Sequence, residues 1–124
     1  MAKRILVVDD EPDVVAHLCA VLRDGGYETL EAFNGEGAME KVLSERPDLI
    51  TLDISMPRMT GVRAYRTLKE DRVLCGIPVI IVTGVSSEFR RFISTRTQVP
   101  PPDGYIQKPI EVERLLGEVK RLIG

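Results

Sequence analysis

The chain has 124 residues, 44% hydrophobic and 29% charged, with a formal net charge of −2. That is one ordinary domain with room for a full core, and its near-neutral balance gives no basis for whole-surface binding to nucleic acid or an anionic membrane. No apolar run is long enough to span a bilayer, and Lys3 and Arg4 lead straight into a short apolar stretch rather than a secretory leader, so a cytoplasmic protein is expected. Cys19 and Cys75 lack metal-type spacing and read as reduced packing thiols. With no internal repeat and no linker, a single domain over residues 1–124 is expected, without an output domain.

Residues 5–8 (ILVV) fit a strand buried on both faces, and they run directly into Asp9 and Asp10. Pro12 suits the first turn of a helix, along which Val14, Leu18, Val21 and Leu22 recur until Gly25-Gly26 stops it. Residues 27–32 (YETLEA) alternate as an edge strand does. Asn34-Gly35 marks a turn, and Ala38, Met39, Val42 and Leu43 give a second helix ended by Pro47. Residues 49–52 (LITL) are a second apolar strand, again closed by an aspartate, Asp53. After the loop SMPRMTG, a third helix is marked by Val62, Tyr65 and Leu68. Residues 79–82 (VIIV) form another buried strand ending at Thr83-Gly84. Phe89, Phe92 and Ile93 predict a short fourth helix. Tyr105-Ile106 begins a fifth strand that runs into Lys108-Pro109, and Val112, Leu115, Leu116, Val119, Leu122 and Ile123 make the clearest amphipathic helix.

Five strands alternating with five helices predict an α/β fold: a parallel sheet with helices on both faces and right-handed crossovers. In such a sheet every strand ends along one edge, where ligands bind at the switch in strand order. Asp9, Asp10, Asp53, Thr83 and Lys108 all fall at predicted strand ends, so the architecture gathers them. Adjacent carboxylates repel, and burying them is costly unless something positive lies between them. Three converging carboxylates call for a hard divalent cation with oxygen ligands, Mg²⁺ above all (or Mn²⁺). A carboxylate beside a metal and a lysine is placed to attack a phosphoryl group and form an aspartyl phosphate.

The stretches VVDDEP, LDISMPRMTG, IIVTG and YIQKPI, in this order and across nearly the whole chain, resemble the response-regulator receiver domain of two-component signalling. The resemblance implies a doubly wound, five-stranded (βα)₅ flavodoxin-like fold. It implies Asp53 as phosphoacceptor, Asp10 as a direct Mg²⁺ ligand, Asp9 acting partly through water, and the main-chain carbonyl of Ser55 as a further ligand. Thr83 and Tyr105 match the family's switch pair: the hydroxyl moves toward the phosphoryl group as the ring turns inward, a population shift that alters the surface of the fourth helix, fifth strand and fifth helix. Implied partners are a sensor histidine kinase or histidine phosphotransfer protein upstream and an effector or fused output domain downstream. The protein would be a monomer or weak homodimer.

Plainer readings stand beside these. Asp9 alone suits a helix N-cap, Thr83 a strand end, Tyr105 core packing, and His17 a helix surface. Met56 and Met59 read as loop packing, with Pro57 and Gly61 shaping the loop behind Asp53. The stretch STRTQVPPPDGY departs from the family, which commonly has small residues before the final aromatic; the prolines predict a short or displaced fourth helix, so the family's dimer geometry is not carried over. Val85 stands where many receivers carry a polar residue, while Gly84 leaves space for a phosphodonor. Two other functions compete. An aspartyl-phosphate phosphatase typically carries a second carboxylate two residues after the nucleophile, where this chain has Ser55. A phosphorylation-independent binding module would have no need of the complete polar set.

Overall fold

The computed structural model describes residues 2–56, 60–84 and 102–124. Five parallel strands form one sheet in the order β2-β1-β3-β4-β5: β1 (Arg4–Val8), β2 (Glu28–Ala32), β3 (Leu49–Asp53), β4 (Val79–Thr83) and β5 (Gly104–Gln107). The helices are α1 (Pro12–Asp24), α2 (Gly35–Glu45), α3 (Thr60–Glu70) and the C-terminal helix (Val112–Ile123), with a 3₁₀ turn at Leu74–Gly76. The α/β, doubly wound, flavodoxin-like reading therefore holds. The predicted helix around Phe89, Phe92 and Ile93, Val85, Pro57, Met59, and two of the three consecutive prolines lie outside the described residues.

Strand side chains alternate between two cores, as a period of two requires. Leu6, Val8, Ile50, Leu52, Val79 and Ile81 pack with Ala38 and Val42 of α2 and Ala64, Tyr65 and Leu68 of α3. Ile5, Val7, Leu49, Ile80, Val82 and Ile106 pack with Leu18, Cys19 and Leu22 of α1 and Leu115 and Val119 of the C-terminal helix. The central strands β3 and β4 are buried at every residue, which explains the unbroken apolar run of β4 and the run of β3, interrupted only by buried Thr51, whereas β2 is an edge with exposed Glu28 and Glu31.

Local signals work as their chemistry dictates. Asn34 caps α2 by accepting a hydrogen bond from the Gly37 amide at 2.7 Å. Gly26, at φ 95°, makes the left-handed step after α1 that a side chain would resist. On α1 the buried stripe runs through Val15 rather than Val14, which is half-buried at its margin. Cys19 is a packing thiol, but Cys75 is exposed beside the 3₁₀ turn; the expectation that both pack is corrected, because that turn buries only Leu74.

Away from the strand ends, Lys69 of α3 donates to the carbonyls of Cys75 and Ile77, each at 3.3 Å, and pairs with Asp103 Oδ2 at 3.1 Å. The same Asp103 oxygen accepts from the Val79 amide at 2.8 Å. A lysine side chain only 6% exposed is thus matched by one carboxylate and two carbonyls, and it ties α3 to the beginnings of β4 and β5.

Gly61 belongs to the first turn of α3 and packs against the backbone of the strand end that carries Asp53. A Cβ there would overlap the Asp53 carbonyl oxygen and lie 2.9 Å from Ile54 Cα. Gly61→Ala should therefore cost about 2 kcal/mol or more in urea unfolding, whereas Gly76→Ala, with nothing within 4 Å of the new methyl, should leave the midpoint nearly unchanged.

Candidate functional site

The strand order reverses between β1 and β3, and the acidic residues flank that reversal. Asp9 follows β1 and Asp53 ends β3, each about 1% exposed, while Asp10 is exposed. One carboxylate oxygen from each of the three lies within 4.8 Å of the others. Lys108 arrives from the end of β5, where its amide donates to the Thr83 carbonyl at 2.8 Å and so ties the ends of β4 and β5 together. Its Nζ lies 3.0 Å from Asp9 Oδ2 and 3.4 Å from Asp53 Oδ2, and the Lys108–Pro109 peptide is cis.

The remaining carboxylate oxygens have distinct partners. Asp9 Oδ1 accepts from the Glu11 amide at 3.0 Å, which joins the acidic turn to the start of α1. Asp53 Oδ1 accepts from both the amide and the hydroxyl of Ser55, at 2.9 and 2.6 Å. Asp9 Oδ2 is buried and, apart from the ion pair with Lys108, accepts no hydrogen bond. Burial, with the charge of Asp53 adding to it, pushes the Asp9 carboxyl up to about 6, against the opposing pull of Glu11 and Lys108. Burial alone would lower Lys108; its carboxylate partners outweigh that and hold the ammonium above its ordinary value.

Charge is unbalanced here. Lys108 offsets one of three negative charges, and a divalent cation would offset the other two. Oxygen donors from three carboxylates, one with an orphaned buried lone pair, fit a hard ion that keeps several waters.

Asp9, Asp10, Asp53 and Lys108 are thus brought together as their strand ends predict. Thr83 is fully buried at the end of β4, one residue beyond the partner of Asp53 in the β3–β4 register. Tyr105 lies opposite Ile81 on β5, half-buried against the core beneath α2 and α3, and burial raises its phenol. Exposed His17 sits on α1, and Met56 is buried loop packing, as expected. Glu11 rather than Asp9 is the cap position of α1, so Asp9 is not that cap. The Ser55 hydroxyl was not anticipated. The expectation there concerned only its carbonyl, and a serine after an isoleucine gives no sequence signal that its side chain turns back on the preceding aspartate.

Comparison with known proteins agrees with this arrangement. The family model described as the response regulator receiver domain matches residues 5–120. Protein PilH of Pseudomonas aeruginosa is 35% identical over 97% of this chain and 97% of its own length. The alkaline phosphatase synthesis transcriptional regulatory protein PhoP of Bacillus subtilis is 32% identical over 99% of this chain, which spans only 49% of that protein. Among solved structures, the signal receiver domain of a signal transduction histidine kinase from Syntrophus aciditrophicus superposes with a TM-score of 0.86 at 37% identity, covering 98% of this chain and 90% of that one. The chemotaxis response regulator CheY4 of Vibrio cholerae gives a TM-score of 0.85 at 26% identity, covering 99% and 100%. With the family model matched over residues 5–120 and PilH 35% identical along nearly the whole of both chains, the chain belongs to the response regulator receiver domain family.

Proposed function

We propose that this receiver domain is a cytoplasmic phosphorylatable switch of a two-component or phosphorelay system. Asp53 takes a phosphoryl group from a phosphohistidine in a Mg²⁺-dependent reaction (Mn²⁺ substituting) and later loses it to water. The observation that carries this reading is the position of Asp53: a buried carboxylate grouped with Asp9 and Asp10 and facing the Lys108 ammonium.

Asp9, Asp10 and the Ser55 carbonyl are the proposed metal ligands, with Asp53 contributing its second role there. Bound among them, the ion supplies charge neutralisation and alignment for the phosphoryl oxygens. The chain's own groups do the rest. One Asp53 oxygen bonds to phosphorus as the phosphorus–nitrogen bond breaks, and the imidazole of the donor leaves with the bonding pair and takes up a proton. Lys108 remains beside the new acyl phosphate and offsets charge on its oxygens. Attack by water at phosphorus then releases inorganic phosphate and restores the carboxylate. The chemistry is thus self-phosphotransfer and autodephosphorylation rather than turnover of a free substrate. Thr83 donates its hydroxyl to the phosphoryl group, and Tyr105 shifts with it.

Upstream, a histidine kinase or histidine phosphotransfer protein is the donor. A crevice of about 230 Å³ opens beside Lys108 between α1 and the Pro109–Ile110 turn, with Asp13, Val14 and His17 on its other wall. Downstream, the partner is an effector protein or a covalently linked output domain. The PhoP relative is a transcriptional regulator twice this length, and the Syntrophus receiver belongs to a histidine kinase.

Intact-mass measurement after incubation with Mg²⁺ and acetyl phosphate tests the acceptor. The protein should gain one phosphoryl group, and Asp53→Asn or added chelator should abolish the gain. Absence of a gain both with acetyl phosphate and with a panel of phosphorylated histidine phosphotransfer proteins would overturn the reading.

Asp9 makes a second, thermodynamic prediction. Its carboxyl stands at about 6 in the folded protein against 3.8 for the free group. Between those values the folded state keeps a proton that the unfolded chain has lost. Stability without metal therefore falls as pH rises through this window and levels off above it. Asp9→Asn should stabilise the chelator-treated protein by on the order of 1 kcal/mol at pH 8, with the difference closing near pH 4, as read by thermal melts. Adding Mg²⁺ should raise the melting temperature of the parent and much less that of the variant.

A further inference from the structure

The groove between α2 and α3 plays no part in the site described above. It has a volume of about 480 Å³, and Met39 and Leu43 of α2 and Ala64 of α3 form its apolar lining. Leu43 is 59% exposed, the most exposed large apolar side chain on a described helix. Its rims are charged with opposite sign: Glu36 and Glu40 on α2, Arg63 on α3, all exposed. Arg66, also exposed, extends the basic side of α3 by one turn. Among the described residues, none of Glu36, Glu40 and Arg63 is engaged in an ion pair.

We infer that this face is a homodimer interface in which a second copy of the chain docks α2 against α3. Both helices pack on the same face of a parallel sheet and follow its strands in the same connection sense, so they run side by side in the same direction. A twofold axis along the groove then sets α2 of each copy over α3 of the other. That operation faces the acidic rim of one protomer with the basic rim of its partner twice over, and it presents Leu43 to the opposite apolar lining. A patch with one acidic and one basic side about an apolar centre is self-complementary under this symmetry alone, which is the requirement of an isologous contact. Two 11-residue helices, each about 16 Å long, offer a small patch at the low end of specific interfaces. The dimer is therefore weak, and weaker in high salt. It is independent of Asp53 phosphorylation, because none of its residues belongs to the acidic site.

Sedimentation velocity on the whole chain over a concentration series tests this. The weight-average mass should rise with concentration from 13.8 kDa toward twice that value. Leu43→Glu, Glu40→Arg and Arg63→Glu should each remain monomeric at the same concentrations, with unchanged circular dichroism and unchanged phosphorylation by acetyl phosphate. The decisive arm mixes Glu40→Arg with Arg63→Glu. In the mixed dimer, each altered residue again meets an opposite charge, so association should return although neither variant associates alone. A protein that stays monomeric throughout, a dimer indifferent to all three substitutions, or a mixture that does not associate would each overturn the inference.

Discussion

The charge imbalance at the carboxyl edge of the sheet is the constraint around which the fold is arranged. Three aspartates share a space less than 5 Å across, two of them almost fully buried, against a single ammonium. Isolated buried carboxylates cost far more than a small domain's net stability allows, so the arrangement persists only because the oxygens of the two buried acids have partners. Glu11 and Ser55 supply amides, Ser55 adds its hydroxyl, and Lys108 bridges the two buried acids. Asp9 Oδ2 has that ion pair and no hydrogen bond besides it, so the site keeps room for a further cationic partner.

A parallel sheet is a direct way to assemble such a site from residues distant in sequence. Asp9, Asp53 and Thr83 are carried to one edge by strands whose apolar character is dictated by burial on both faces, and the acids follow those strands without a break. This is why so much was legible. An unbroken apolar run ending in Asp has few explanations in a βαβ pattern, and Lys108-Pro109 after a fifth strand completes the set. The edge position of β2 was equally readable from its alternation. What escaped was contact detail with no period and no spacing. The Ser55 hydroxyl acts on a residue two positions earlier, and the Lys69–Asp103 pair joins residues 34 apart in sequence. Neither a lysine late in an amphipathic helix nor an aspartate before a glycine announces such a partner. The choice between Val14 and Val15 on α1 was a matter of one helical position, and hydrophobicity alone cannot decide between adjacent valines.

Ser55 also bears on the competing phosphatase reading. A carboxyl group at that position would be available as a general acid or base for a free substrate. The serine hydroxyl is instead spent on Asp53 Oδ1, holding the carboxylate's rotation so that Oδ2 remains turned toward Lys108. Such a contact favours one orientation of the Asp53 carboxylate, as the proposed phosphoacceptor role requires, and puts a hydroxyl where the phosphatase reading needs a carboxyl. The binding-module reading meets a different difficulty. A fold kept for docking alone would be more stable with the buried acids neutralised, since each raises the cost of the others.

The two proposed surfaces are mechanically distinct but share one element. The first turn of α3 sits against the Asp53 backbone through Gly61, where no side chain fits, while the same helix supplies Arg63 and Ala64 to the groove with α2. A single residue, Val62, separates the contact of Gly61 with the strand that carries Asp53 from Arg63 on the rim of the groove. Its far end is fixed by Lys69 to the beginnings of β4 and β5. A helix held at both ends in this way moves as a rigid unit or not at all, because a close-packed contact at Gly61 leaves no slack for a local shift. Any displacement of the Asp53 strand end that the proposed phosphorylation caused would be opposed along α3. On the β4–β5 side the amide of Lys108 donates to the Thr83 carbonyl and so extends the pairing of those strands past Thr83 and Gln107. The groove between α2 and α3 lies beside a helix held in this way, which suits the constitutive contact proposed there.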